Sequence, residues 1–315
     1  MKIYYNMPDR RGEFNNPVLT IGTFDGVHSG HIKILQTVVD LAKDSNVDPV
    51  VLTFDAHPRR VLTPATPPRI LTTQKEKIKA ISDCGINNII MLKFTREIAD
   101  MHAVEFLNNM IINKIGISHL VVGYDHAFGK NRDGDFDFLS QISKEKGFGI
   151  TRVDPRNFHA RPISSTWIRT ELEDGDIAAA NTLLGRRYTL FGSVVKGDGR
   201  GVRLGFPTAN IIPEDPDKVI PKDGVYAVRV VVAKEKKEGM LNIGTNPTFS
   251  NTERSIEVNI FDFGKDVYGQ ILEIYFYERL RDEIKFDSPE ALQEQLKKDR
   301  EISREILRND TGIIN

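Results

Sequence analysis

Gly22-Thr-Phe-Asp-Gly-Val-His-Ser-Gly-His31 follows the apolar run Val18-Leu-Thr-Ile21 and precedes a segment with helical spacing at Leu35, Val38, Val39 and Ala42. A strand, a glycine-broken turn and a helix start therefore meet around a pair of histidines, His28 and His31. The first backbone N–H groups of a helix have no partner within it and attract anions. Gly22, Gly26 and Gly30 let the backbone approach a ligand closely. The arrangement suits a nucleotide phosphate. Read alone, the histidines serve as well as core or capping residues. A zinc site lacks the third ligand at definite spacing that such sites recruit.

Outward from this stretch, strand-like and helix-like segments alternate up to about residue 185. Short apolar runs fall at 18–21, 50–54, 89–92, 119–122 and 150–153. Helical patterns at 75–84, 103–115 and 135–146 end at Gly85, Gly116 and Gly147, where a left-handed cap is expected. Helices over Ser165–Glu173 and Asp176–Leu184 complete this half. Continuous apolar strands alternating with helices predict a parallel α/β sheet covered on both faces. From Tyr188 the period changes to two, with strands expected at 188–195, 207–211, 225–232, 239–243, 256–261 and 271–277. Strands so spaced without helices between them indicate an antiparallel barrel or sandwich. A last helix is opened by Ser288 and Pro289 and turns Leu292, Leu296, Ile302 and Ile306 inward. Lys234-Glu-Lys-Lys-Glu238 reads as a solvated hairpin tip.

Length and composition bound the function. The 315 residues suffice for two domains, with boundaries read as 1–185 and 186–315. A formal net charge of −1 leaves no footprint for nucleic acid or an anionic membrane surface. The single cysteine, Cys84, excludes an intramolecular disulfide and fits a reducing, cytoplasmic setting. Polar residues from Asn6 onward break any signal-peptide pattern. No apolar run approaches the roughly 18–20 residues that span a bilayer.

In open parallel sheets, ligands bind beyond the carboxyl ends of the strands. There lie Gly22–His31, Thr53-Phe-Asp-Ala-His-Pro58, Gly123-Tyr-Asp-His-Ala-Phe-Gly129 and Ile163-Ser-Ser-Thr-Trp-Ile-Arg169. Gly-x-x-x-x-Gly-Lys-Ser/Thr is absent, and Gly197-Asp-Gly-Arg-Gly201 fails the dinucleotide spacing. His57 before Pro58 also reads as a turn residue, and Ser164-Ser-Thr166 as a helix cap. In the second half, Lys196–Asn210 is glycine-rich and ends in Thr208 and Asn210, which share one strand face. Such a loop reads either as a long hairpin or as a phosphate cradle. Glu257, alternating with Ile256 and Val258, reads equally as a solvent-facing strand residue.

Gly22–His31 resembles the Gly-x-Phe-Asp-Gly-x-His-x-Gly-His signature of bacterial bifunctional riboflavin kinase/FAD synthetases. Thr53–Pro58 is similar to that family's Thr-Phe-Asp-Pro-His-Pro, with Ala56 for the first proline. Ile163–Arg169 matches Ile-Ser-Ser-Thr-x-Ile-Arg, and Gly197–Asn210 matches the kinase motif ending Gly-Phe-Pro-Thr-Ala-Asn. His126 and Ala127 stand where Phe and Arg are usual, so Lys130 or Arg132 is left to supply the charge. The resemblance implies a Rossmann-like parallel-sheet nucleotidyltransferase domain, followed by an antiparallel β-barrel riboflavin kinase domain with a C-terminal helix. It implies phosphorylation of riboflavin to FMN, then adenylation of FMN to FAD, both with ATP and Mg²⁺.

By that resemblance His28, His31 and Arg169 stabilise charge on the transferred phosphate. Gly22, Phe24, Asp25, Gly26, Gly30, His57, Asp125, Ser164, Ser165 and Thr166 line the first nucleotide site. Gly197, Gly201 and Gly205 wrap the second ATP, and Thr208 and Asn210 hold Mg²⁺ and phosphate. Phe206, Pro207, Tyr226 and Asn242 meet the flavin, and Glu257 is the kinase's general base. A nucleotidyltransferase for another phosphorylated substrate has no use for the second half. A catalytically decayed flavin sensor has no use for His28, His31, Arg169, Asn210 and Glu257.

Overall fold

The computed structural model of this chain describes residues 1–197, 201, 204–245 and 254–310. Positions 198–200 and 202–203 of the expected phosphate loop lie outside the described residues. The chain forms two units, Met1–Ser164 and Ser165–Asn315.

The first unit is built on β1 (Lys2–Tyr4), β2 (Val18–Ile21), β3 (Pro49–Phe54), β4 (Asn88–Leu92), β5 (His119–Gly123) and β6 (Gly149–Val153). All pair in parallel, in the order β1-β4-β3-β2-β5-β6. Successive strand residues turn to opposite faces, and both faces are buried. Leu19, Leu52, Ile90 and Leu120 enter one core; Val18, Val51, Ile89 and Val121 enter the other. Each such side chain contributes on the order of 1.5–3 kcal/mol through burial. That explains why the runs read as continuously apolar.

α1 (Ser29–Ser45) follows β2, and α2 (Pro58–Leu62) and α3 (Gln74–Asp83) follow β3. Thr73 and Glu76 close a capping box at the start of α3. After β4 come α4 (Arg96–Asp100) and α5 (Ala103–Phe106), which continues in wider turns over Leu107–Ile115 to a left-handed Gly116. α6 (Phe136–Lys146) precedes β6. The short edge strand β1 and the hairpin β7 (Asn157–Phe158) and β8 (Arg161–Pro162) carry no apolar run and are not among the expected strands. Strand order reverses at β2, which pairs with β3 on one side and β5 on the other. Ligand crevices of open α/β sheets form at such a point. The first loops beyond it are Gly22–His31 and Gly123–Gly129.

The second unit opens with α7 (Ser165–Asp174) and α8 (Ile177–Leu184). Both helices fall within this second unit. Buried Asn181 explains α8: its Nδ2 donates to Phe276 O at 3.0 Å, and its Oδ1 accepts from Tyr188 N. Leu172 O of α7 accepts from Lys222 N. The barrel comprises β9 (Tyr188–Val195), β10 (Ala209–Pro213), β11 (Gly224–Val232), β12 (Glu235–Thr245), β13 (Arg254–Ile260) and β14 (Ile271–Arg281). It closes in the order β10-β13-β12-β11-β14-β9. Closure removes unpaired edges.

The hairpin tip is narrower than expected. Ala233 and Lys234, both at positive φ, make the turn, while Glu235–Glu238 already pair with β11. α9 (Pro289–Arg308) is capped by Ser288, whose side chain accepts from Ala291 N. The inward assignment of Ile302 fails, since that residue is 46% exposed. Asp299, Ser303 and Leu307, spaced four apart, form the buried stripe, and Ile302 is one residue off it.

Candidate active sites

In the first unit, the turn between β2 and α1 is held in a conformation ordinary side chains avoid. Phe24 and Val27 sit at φ +47° and +41°, each costing on the order of 1–2 kcal/mol. The surroundings hold the turn in place. Asp25 Oδ1 accepts from Leu71 N at 2.8 Å and Thr72 N at 3.1 Å, and Thr72 Oγ1 accepts from Gly26 N. Gly26, at φ +86°, is also where a Cβ would come within 2.8 Å of Leu71. Strain of this kind concentrates at functional sites.

His28 caps α1, its Nδ1 accepting from His31 N at 3.3 Å, so the neutral ring carries its proton on Nε2. The His28 and His31 rings stack, with centroids 3.7 Å apart and planes at 19°. A Cβ at Gly30 would lie 3.1 Å from His28 Cε1, so glycine there lets the ring fold over the helix start. Burial first, then the His28 ring and the Lys77 ammonium, push the His31 pKa well below its usual value. Its Nδ1 is buried and has no hydrogen-bond partner among the described residues. A buried imidazole nitrogen left in this state at a helix start is a ready contact for a ligand.

The other rim loops are similarly anchored. His57 caps α2 by accepting from Arg59 N at 3.2 Å, which is the turn role weighed for it. Asp55 Oδ1 accepts from Phe94 N at 3.1 Å, joining the ends of β3 and β4. In the Gly123–Gly129 loop, Arg132 Nη2 donates to Asp125 O at 3.1 Å, and its charge reaches His126. Arg132 thus brings a guanidinium to the loop whose usual arginine is Ala127. His126 is held neutral, its pKa pushed down to about 4 chiefly by burial. Ser164 closes the first unit, whereas Ser165, Thr166 and Arg169 lie on α7 in the second.

The barrel assembles its site as a transverse row. Strand pairing sets Arg281 opposite Val225, Val225 opposite Asn242, Asn242 opposite Glu257, Glu257 opposite Asn210 and Asn210 opposite Val195. Residues directly opposite share a face, at about 4.5–5.5 Å between Cβ atoms. Every member of this row lines one cleft of about 650 Å³. Thr208 Oγ1 donates to Glu257 Oε2 at 3.0 Å. Asn259 Nδ2 donates to Pro207 O at 2.6 Å and fixes the Pro-Thr segment. Gly201 O accepts from Phe206 N at 2.8 Å, and Arg300 lies 4.5 Å over the Phe206 ring. Gly197, Gly201, Phe206, Thr208 and Asn210 all border the cleft; Gly205 and Pro207 are exposed beside it.

Tyr226 departs from expectation. It is fully buried, its ring 5.4 Å from Phe276 and its hydroxyl donating to Lys222 O. Strand alternation turns Val225 to the cleft and Tyr226 to the other face.

Models of two families match the chain: FAD synthetase over residues 11–167 and riboflavin kinase over residues 184–307. The bifunctional riboflavin kinase/FMN adenylyltransferase of Bacillus subtilis is 37% identical over 288 residues, covering 90% of each chain. The Escherichia coli K12 protein of the same name is 35% identical over 291 residues, covering 92% of each. The chain belongs to the bifunctional riboflavin kinase/FMN adenylyltransferase family. A crystal structure from Streptococcus pneumoniae, described as a macrolide-efflux protein, is 33% identical with a TM-score of 0.86. The match covers 96% of this chain and 98% of that one. Among the described residues, no helix of this family member is long and apolar enough to cross a membrane.

Three charged side chains with buried or site-lining positions escaped the sequence reading. Lys77, Arg281 and Asp299 each sit in a charged, helix- or strand-end context that reads as solvated. Yet Lys77 is 6% exposed, and Asp299, at 1%, receives the Arg281 guanidinium through both carboxylate oxygens. A heptad-like count of α9 finds Asp299 on the inward stripe; nothing comparable marks Lys77.

Proposed function

We propose that the barrel unit phosphorylates riboflavin to FMN and the sheet unit adenylates FMN to FAD, at two separate sites of one chain. This is the activity of the family, in which both steps consume ATP. The single observation that carries the assignment of sites is the Val225–Asn242–Glu257–Asn210 row facing one cleft, with Thr208 hydrogen-bonded to Glu257.

In the barrel, Glu257 takes the proton from the 5′-hydroxyl of riboflavin as that oxygen bonds the γ-phosphorus of ATP. The bond from that phosphorus to the β-phosphate oxygen breaks, and ADP leaves. General-base assistance of this kind is worth about 10²–10⁴ in rate. The neutral oxygen donors Thr208 and Asn210 suit Mg²⁺, a hard cation that keeps waters and shares phosphate oxygens. Bound there, Mg²⁺ supplies charge neutralisation for the polyphosphate. Phe206, Pro207 and Asn242 line the flavin, and Gly197, Gly201 and Gly205 bring backbone to the phosphates.

In the sheet unit, a phosphate oxygen of FMN attacks the α-phosphorus of ATP, and pyrophosphate leaves. No protein nucleophile is needed, only positioning and donors aimed at the developing charge. His28 and His31 donate at the start of α1, beside Gly22, Phe24, Asp25, Gly26 and Gly30, with His57 and Asp125 on the neighbouring rim loops. The phosphate roles of Ser164, Ser165, Thr166 and Arg169 are part of this proposal. Its domains divide functionally near residue 185, and its setting is the cytoplasm, without nucleic-acid partners.

Incubation of the protein with riboflavin, ATP and Mg²⁺, with chromatographic separation, tests the proposal. FMN followed by FAD supports it. Neither product would sink it, and FMN alone would withdraw the sheet half.

A further inference from the structure

α9 presents two neighbouring stripes to the barrel. Asp299, Ser303 and Leu307 form the buried one, and Asp299 Oδ2 accepts from Arg281 Nη2 at 2.6 Å. Arg281 borders the kinase cleft, so this ion pair fixes the helix against the wall of the site. Gln293, Leu296 and Arg300 form the second stripe, at the i, i+3, i+7 spacing that shares one helix face; each is half-buried. This stripe meets the backbone that leads into Thr208. Gln293 Nε2 donates to Leu204 O at 3.2 Å. Leu296 packs with Phe206, Met240 and Phe261. The Arg300 guanidinium stands over two rings, 4.5 Å from the Phe206 centroid and 5.6 Å from that of Phe261. Its Nε is buried and has no hydrogen-bond partner among the described residues, so ring faces are what that nitrogen meets. The backbone beneath closes on itself: Leu204 N and Phe206 N both donate to Gly201 O, at 3.2 and 2.8 Å. A Cβ at Gly201 would fall 2.3 Å from Phe206 O, so only glycine admits this closure. Asn259 then ties Pro207 O to β13, and the α9 stripe ties Leu204 and Phe206.

We propose that Gln293 and Arg300 are positioning residues for the kinase reaction: from α9 they hold the backbone at Gly201, Leu204 and Phe206 in the shape that receives ATP. The proposal rests on the reading of Gly201 and Gly205 as backbone contacts to the ATP phosphates. Neither Gln293 nor Arg300 borders the cleft, so both act through the backbone they touch. Backbone held before ATP arrives loses less freedom on binding. That hold favours ground and transition states alike, so it is read in KM and not in kcat.

The test compares parent, Arg300→Met, Arg300→Lys and Gln293→Ala in the full chain, with Arg300→Met also placed in a Phe206→Leu background. Initial rates of FMN formation are taken against ATP concentration, and hydrogen exchange of the Leu204 and Phe206 amides is followed without ligand. Methionine keeps an apolar stem and removes the charge from the ring. For Arg300→Met the expected result is a rise of about tenfold in KM for ATP, with kcat within about twofold of the parent. Exchange at the two amides should quicken by a similar factor, while exchange in β11 and FAD formation from supplied FMN stay at parental values. Lysine returns a charge to the ring and should bring KM to within about threefold of the parent. Gln293→Ala should raise KM by about three- to fivefold, the worth of one hydrogen bond. Without the Phe206 ring, Arg300→Met should add less than about twofold. An unchanged KM in both Arg300→Met and Gln293→Ala overturns the proposal. So does faster exchange throughout the barrel, or a full effect of Arg300→Met in the Phe206→Leu background. A parent that makes no FMN would remove the reading of the cleft, while exchange at Leu204 and Phe206 still decides whether α9 holds that backbone.

Discussion

Replacing Glu257 with Gln isolates proton abstraction from architecture. Glutamine keeps an oxygen to accept from Thr208 Oγ1, now 3.0 Å from Glu257 Oε2, and fits between Asn210 and Asn242 in the strand row. Riboflavin and ATP contacts should survive, so KM should change little. The loss falls on kcat for FMN formation. General-base assistance accounts for 10²–10⁴ in rate, about 2.7–5.4 kcal/mol of barrier. The assay is initial-rate FMN production from riboflavin and ATP, with FAD production from supplied FMN measured in parallel. FAD formation from FMN should stay at the parental rate. A variant whose kcat for FMN stays within threefold of the parent would refute the role given to Glu257.

Gly30→Ala places a Cβ 3.1 Å from the His28 ring and should lower FAD formation about tenfold, with FMN formation retained, in the same paired assay. Asp299→Ala strands the Arg281 guanidinium. A broken buried pair costs about 3–5 kcal/mol, so the denaturant midpoint of the barrel unit should fall sharply. His126 is protonated more readily unfolded, at about 6.5, than folded, at about 4, so the unfolded state binds more protons between those values. Stability is therefore full above about pH 6.5 and lost as pH falls toward 4. His31 and His119 act in the same direction. His126→Phe should flatten this acid loss in urea titrations of the chain from pH 7 to 4; an unchanged slope would contradict the burial described.

Local chemistry was the legible part of the sequence. The β2–turn–α1 stretch could be read because three glycines and a strand–helix change of period lie within a few residues. Long-range register could not. That Asn210, Glu257 and Asn242 share one row depends on barrel closure, which pairs β10 with β13 and β13 with β12 across many residues. Tyr226 illustrates the limit: its neighbour Val225 took the cleft face, a choice set by one residue of register. Lys77 and Asp299 show another, because a charged residue on a helix reads as solvated until its partners, Phe54 O or Arg281, are brought to it by the fold. Ile302 erred in the opposite sense. An apolar residue one position off the buried stripe of α9 is exposed at little cost, and the stripe itself carries Asp299 and Ser303.

The central claim is that one chain holds two separable sites, and product analysis of His31→Ala tests it most directly. Given riboflavin, ATP and Mg²⁺, the variant should make FMN at the parental rate and stop there, with FAD formation reduced by about 10²–10³ or more. FAD appearing at the parental rate, or FMN formation lost together with FAD, would contradict it.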